Sequence, residues 1–354
     1  MFKRLLLIIV LCFSNSLFAQ TEDVITGLSH PLGIAFDDED MYICEHAPGP
    51  NAGILSRVDL LVTPLVKEDL VTELFYPRAI YLHGNDLYYA ITTSLNKIDI
   101  TSSSPSPEVV VTGLNFPRSL VLVGDYLYMA EADRIRKINI QDASPTPIDV
   151  ITGLPDDPLS MALRGDEMFF ASANKVSKFS LLDASPVVEY VVTGFESNIY
   201  SLVFYGDTLI VGMALIRKMM TIDMNATVLV AEEFLSSMSG QPMHLVIHNN
   251  ELYIAGGINS KVFKLSDLSS LSIEDSQPFI VQQVYPNPTK NLIQISGLKE
   301  QTAYEVYNTN GLVVLKGNLM PNETVSLSAL SSGMYFFRLH NRSLNELTLK
   351  VMKD

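Results

Sequence analysis

Arg78, Arg118, Tyr200 and His244 stand near the start of short apolar runs. A guanidinium is planar and donates paired hydrogen bonds to one anion, so two nearby arginines suit a carboxylate or sulfate. The competing reading is local neutralisation, which 39 Asp+Glu make easy. A second set, Glu45, Glu131, Asp133 and Asn174, offers oxygen atoms of the kind that hold calcium or another divalent metal. A solvated turn or hydrogen bonds within a repeat explain that set more simply. His30, His46, His83, His244, His248 and His340 show no close metal-ligand spacing. No Ser nucleophile elbow, phosphate-binding loop or paired-carboxylate glycosidase motif occurs. Cys44 is alone once Cys12 leaves with an export signal, so it reads as a structural thiol and no internal disulfide forms.

The elements that must position these side chains repeat about every 40 residues. One landmark is an apolar-aromatic pair: Met41-Tyr42, Leu87-Tyr88, Leu127-Tyr128, Met168-Phe169, a degenerate Leu209-Ile210, and Leu252-Tyr253. A second precedes it, as in Val111-Thr112-Gly113-Leu114 and Ile151-Thr152-Gly153-Leu154. A third follows it, as in Lys97-Ile98-Asp99 and Lys137-Ile138-Asn139. Each unit contains four short alternating runs, and a small turn such as Gly124-Asp125 or Asn249-Asn250 separates the first two.

Four strands per unit in six units is the arithmetic of a six-bladed β-propeller, an all-β fold. The chain opens on Asp23–Leu28, which matches a fourth strand, and its repeats end on Lys261–Leu265, which matches a third. The first segment is therefore expected to complete the last blade. Aligning the six first strands puts Leu32, Arg78, Arg118, Leu159, Tyr200 and Met243 at one register. The next register holds Gly33, Ala79, Ser119, Ser160, Ser201 and His244. Arg78, Arg118, Tyr200 and His244 are thus the candidate ligand contacts at the tunnel mouth. His46–Gly53 reads as a loop over one face, where binding elements often lie.

The segment Leu127–Ile138 resembles an NHL repeat, with Glu131 in place of the usual Asp and a shortened turn. Over residues 21–268 the sequence is similar to NHL/YWTD-like six-bladed propellers, which implies architecture rather than activity. Gluconolactonase-like members carry a central metal on Glu, Asn and Asp. Peptidylamidoglycolate-lyase-like members assemble zinc from distant histidines, which here would be His30, His46 and His244. The resemblance leaves two functions open. One is a non-catalytic propeller binding an extracellular protein, peptide or glycan. The other is a metal-dependent hydrolase, lactonase or lyase at the tunnel mouth.

A different pattern starts after a Ser- and Asp-rich spacer. Alternating segments from residue 284 onward read as a small antiparallel β-sandwich. Tyr285-Pro286-Asn287-Pro288, Val306–Gly311, the stretch through Gly333 and Tyr335, and Lys350-Val351-Met352-Lys353 resemble the type A C-terminal sorting domain of the type IX secretion system of Bacteroidetes. That resemblance implies the secretion machinery as a partner.

Lys3 and Arg4, the apolar run to Phe13 and Ala19 form an export signal with a cut after Ala19. The run is too short to span a membrane, and no membrane span is expected in the mature chain. The expected organisation is signal 1–19, propeller 20–268, linker 269–281 and sorting sandwich 282–354. The protein is expected to pass through the periplasm to the outer cell surface or the medium. A formal net charge of −15 argues against nucleic acid as a partner, and the absence of Trp weakens a Trp-based sugar platform.

Overall fold

The computed structural model describes residues 21–266, 268, 284–295, 302–309, 312–320, 323–340 and 346–354. The expected signal 1–19 and linker 269–281 lie outside the described residues. The chain divides into two compact units, Met1–Leu271 and Ser272–Asp354. The fold is almost entirely β, in antiparallel sheets.

The first unit holds six four-stranded sheets. Five are formed by consecutive strands, and their leading strands are Pro31–Phe36, Ala79–His83, Ser119–Val123, Pro158–Arg164 and Ser201–Tyr205. The sixth leads with His244–His248 and continues through Glu251–Ala255 and Lys261–Leu265. Its fourth strand is Thr21–Thr26, from the start of the described chain, which pairs antiparallel with Lys261–Leu265.

Why these segments become strands is visible in their burial. The second strand of each sheet is covered on both faces and is nearly continuous in apolar side chains, as in Leu127, Tyr128, Met129 and Ala130. Fourth strands such as Glu108–Thr112 and Ile148–Thr152 are exposed at most positions, with Val111 and Ile151 as their buried residues. Gly124 turns the hairpin between the first two strands at φ 58°, a conformation open to Gly without steric cost. Between third and fourth strands the register slips at one recurring place, at Leu95/Asn96, Ile135/Arg136, Val176/Ser177 and Met219/Met220. Thr21–Thr26 slips likewise, between Asp23 and Ile25.

Each apolar cluster in this unit joins two neighbouring sheets. Tyr42 and Leu55 of the first pack with Leu87 and Tyr89 of the second. Phe169 and Val176 of the fourth pack with Leu209 and Val211 of the fifth. Ile34 and Ile43 of the first pack with Ala255 and Val262 of the sixth. Leading strands of consecutive sheets touch one another, and that of the sixth touches that of the first. Burial of this kind, at about 25 cal/mol per Å² of apolar surface, drives the assembly.

The second unit packs a three-stranded sheet (Val284–Tyr285, Leu292–Ile295, Thr324–Ser326) over a four-stranded one (Val313–Leu319, Thr302–Asn308, Gly333–His340, Glu346–Lys353). Ile293, Val306, Leu327, Phe337 and Val351 form its shared core. Among the described residues no helix is long and apolar enough to cross a membrane.

Candidate functional site

Arg78, Arg118, Tyr200 and Met243 are held alike. Each immediately precedes a leading strand, and its backbone N–H bonds to the second strand of its own sheet. The acceptors are Ala90 O (3.1 Å), Ala130 O (2.8 Å), Gly212 O (2.8 Å) and Ala255 O (3.1 Å). These four line one cavity of about 630 Å³ together with Leu32 and Leu159, the other two members of the register. His30, Tyr76, Asp156 and Asp157 also line it. The volume lies within the range usual for ligand pockets.

The two arginines differ in their partners. Arg118 Nη2 donates to Asp157 Oδ2 at 2.6 Å, while its buried Nε has no partner among the described residues. Arg78 is largely enclosed, and among the described residues no hydrogen bond or ion pair engages its guanidinium. Burial lowers its pKa, the charge of Arg118 lowers it further, and Tyr76, Tyr200 and Asp157 partly oppose this. A half-buried cation facing a cavity beside a second cation is unfavourable unless an anion joins it.

His30, His46 and Tyr76 form a corner beside Arg78. The His46 and Tyr76 rings lie 4.0 Å apart between centroids, and His46 N–H donates to His30 O at 3.1 Å. The pKa of His30 is lowered by burial, then by His46 and Arg78. That of His46 is lowered by burial, then by Arg78. Both imidazoles are therefore held toward the neutral form beside Arg78.

His244 does not join them. It lines a separate cavity of about 440 Å³, and its Nδ1 accepts the Ile34 N–H at 3.2 Å. Burial lowers its pKa to about 4. The register one step beyond the arginines ties neighbouring sheets together. Ser119 Oγ accepts from Met161 N–H (3.0 Å), Ser160 Oγ accepts from Leu202 N–H (3.0 Å), and Ser201 donates to Pro242 O (2.8 Å). His244 makes the same kind of tie between the sixth and first sheets, whereas Arg78, Arg118 and Tyr200 line the other cavity. A side chain one position along a strand points to the opposite face.

The oxygen set is dispersed rather than convergent. Glu45 is fully buried and accepts from Ser29 N–H (2.7 Å), Ser56 Oγ (2.8 Å) and Lys67 Nζ (2.8 Å). Glu131, also buried, accepts from Asn115 N–H (2.7 Å), Arg136 Nε (2.7 Å) and Arg136 Nη2 (2.5 Å). The two carboxylates thus perform one task in two sheets, fixing the chain just before a leading strand. Asp133 pairs with Arg134 at 2.9 Å, and Asn174 Nδ2 donates to Phe195 O at 3.2 Å. Among the described residues no group of three or more His, Cys, Asp or Glu could hold a metal ion, so Glu45, Glu131, Asp133 and Asn174 do not form one site, nor do His30, His46 and His244. Cys44 is buried with Sγ 4.0 Å from Ala79 O, and burial pushes its thiol pKa up. It is a packing residue.

Tyr76 and Asp157 were missed in the sequence, and His30 was read only as a possible zinc ligand. A signal existed: Tyr76-Pro77-Arg78 and Phe116-Pro117-Arg118 repeat an aromatic-Pro-Arg triplet. Proline precedes the register residue in five of the six units, at Pro31, Pro77, Pro117, Pro158 and Pro242. A fixed φ there sets the direction in which the following side chain leaves the strand.

In the second unit, Asn287 brings two distant motif pieces together. Its Nδ2 donates to Lys350 O (2.8 Å) and its Oδ1 accepts from Met352 N–H (2.9 Å). Tyr285, Pro286 and Pro288 flank it at the surface. Gly333 opens the strand that carries Tyr335, whose hydroxyl donates to Ser331 O at 2.8 Å.

Residues 283–354 match the family described as the secretion system C-terminal sorting domain. This makes the chain a secreted or cell-surface protein linked to the type IX secretion system through its C-terminal unit. No curated protein matches the chain. Among solved structures it is similar to PorZ of Porphyromonas gingivalis, an essential bacterial surface component of that system. Identity is 11%, the TM-score is 0.50, and the match covers 93% of this chain and 60% of PorZ. The chain therefore spans about 60% of the length of that protein. A putative oxidoreductase (glucose dehydrogenase) from Thermus thermophilus is 12% identical with a TM-score of 0.55, covering 69% of this chain and 99% of that one. A putative gluconolactonase is 12% identical with a TM-score of 0.51, covering 70% and 91%. At these identities the likeness concerns the fold alone.

Proposed function

We propose that this protein is a non-catalytic binding module, a six-bladed NHL/YWTD-like β-propeller that the type IX secretion system delivers to the cell surface or the medium. The propeller reading rests on six sheets whose leading strands touch in sequence and whose last member takes its outer strand from Thr21–Thr26. The signal at 1–19 and the sorting unit supply successive steps of export. The binding role rests above all on one observation: the cavity of about 630 Å³ gathers one side chain from each of six sheets, among them Arg78, whose guanidinium has no partner among the described residues. A purely structural ring would gain nothing from turning Arg78 toward a cavity that Arg118 also lines. The metal-hydrolase alternative draws no support from Glu45 or Glu131, whose oxygens already accept backbone, hydroxyl and basic donors.

The routing half is tested in a Bacteroidetes host that carries the type IX system. Full-length chain and a chain ending at Ile280 are each followed in periplasm, surface and medium by immunoblot. The truncated chain is expected to stay in the periplasm while the full chain leaves the cell. Equal release of both would overturn the routing.

A further inference from the structure

We infer that the arginine cavity receives a carboxylate presented by an extracellular protein segment, with apolar side chains flanking that carboxylate; this rests on the binding role just proposed. The anion follows from Arg78. Its guanidinium borders the cavity without an acceptor among the described residues, while Arg118 is already held by Asp157 at 2.6 Å. A single carboxylate accepts two parallel N–H bonds from a guanidinium and relieves the repulsion between the two arginines. Tyr200 beside it adds a hydroxyl and a ring edge.

The protein nature of the partner follows from what surrounds the charge. Leu215 and Ile258 line the same cavity yet are 61% and 59% exposed. They sit on single 3-10 turns, Ala214–Ile216 and Gly257–Asn259, between the second and third strands of the fifth and sixth sheets. Phe75, next to cavity-lining Tyr76, is 49% exposed, and Phe116, two residues before Arg118, is 47% exposed. Four of the six sheets thus present large apolar side chains to water close to the arginines. Such side chains are covered favourably by apolar groups, at about 25 cal/mol per Å², whereas a hydroxyl-rich sugar would leave its own polar groups unpaired against Leu215 and Ile258. A charged anchor beside exposed apolar side chains is also an arrangement that concentrates binding energy at protein interfaces. The carboxylate can come from an Asp or Glu side chain or from a chain terminus.

The test uses the mature full-length chain and a random dodecapeptide library displayed with free and with amidated C-termini. Recovered peptides are resynthesised and titrated directly, alongside an array of neutral and acidic glycans. The expected result is that recovered peptides carry an Asp, a Glu or a free C-terminus beside Leu, Ile or Phe. Asp→Asn and Glu→Gln exchanges then identify a side-chain source, and amidation identifies a terminal one. Arg78→Gln should weaken binding about tenfold or more, and Leu215→Ala with Ile258→Ala several-fold, with melting temperatures unchanged. The inference is overturned if recovered peptides need no carboxylate, if Arg78→Gln leaves affinity intact, or if no peptide is recovered. Should glycans bind in an Arg78-dependent way and peptides not, the peptide inference falls and the binding role stands. Should neither bind, both fall.

Discussion

At the scale of single residues, one step along a strand separates a side chain facing the cavity from one tying sheets together. Arg78 and His244 look alike as polar residues at the head of an apolar run. The structure puts the first at the cavity and the second under Ile34, with Nδ1 as acceptor. That bond needs an unprotonated Nδ1, and burial lowers the pKa of His244 from 6.5 to about 4. Between those values the unfolded chain binds a proton that the folded chain refuses. The contribution of His244 to stability is therefore complete above about pH 6.5 and is lost as pH falls toward 4. The expected loss is about 2 to 3 kcal/mol. His244→Asn keeps an acceptor near the Nδ1 position but does not titrate. Urea midpoints near pH 7 and near pH 4.5 should show a smaller acid loss in H244N than in the natural chain. An identical loss in both would rule out the tie. The register of Arg78, Arg118 and Tyr200 was readable because three-landmark repeats align the strands. The neutralisation of Arg118 was not, since Asp157 lies 39 residues away and only the packing of adjacent sheets brings it to 2.6 Å.

At the scale of elements, the informative piece is Thr21–Thr26. It is short and its residues are only half covered, so nothing local makes it a stable strand. It becomes one by pairing with Lys261–Leu265, more than two hundred residues on, with the same register slip as the other fourth strands. Leu28 follows it, buried in the cluster of the first and sixth sheets, and its N–H donates to Ser260 O at 2.9 Å. Removing residues 21–28 uncovers the edge of Lys261–Leu265 and leaves the place of Leu28 empty. The expected cost is about 4 kcal/mol or more, combining a lost buried leucine with unpaired backbone groups. Thermal unfolding of the deleted chain tests this, and an unchanged midpoint would disprove it. The pairing was legible because a fourth-strand pattern stands at one end of the repeats and a third-strand pattern at the other. The repeated bulge was not legible, because an extra residue on an outer strand leaves the alternation of its neighbours intact.

At the scale of the whole molecule, the chain is two compact units with separate cores. In the first, every apolar cluster is shared between neighbouring sheets, so no single sheet has a core of its own. Its stability should then be cooperative across all six sheets and independent of the second unit. Residues 21–271 produced alone are expected to melt within about 2 °C of the corresponding transition in the full chain, which corresponds to a change under about 1 kcal/mol. Calorimetry of both chains would show it, and a much lower midpoint for the shorter chain would count against independent units.

The sequence alone determined the all-β class, the six repeated units, the offset of one strand at the ends and the sorting unit. All of these are written in local periodicity and turn chemistry, which act within a few residues. Tertiary structure decided which polar side chains face a cavity and which are already satisfied. Glu45 and Glu131 are locked beneath Ser29 and Asn115, Arg118 is paired across sheets, and Arg78 is left with its donors unengaged among the described residues. Hydrogen-bond satisfaction depends on atoms that are distant in the chain and adjacent only once the sheets have packed.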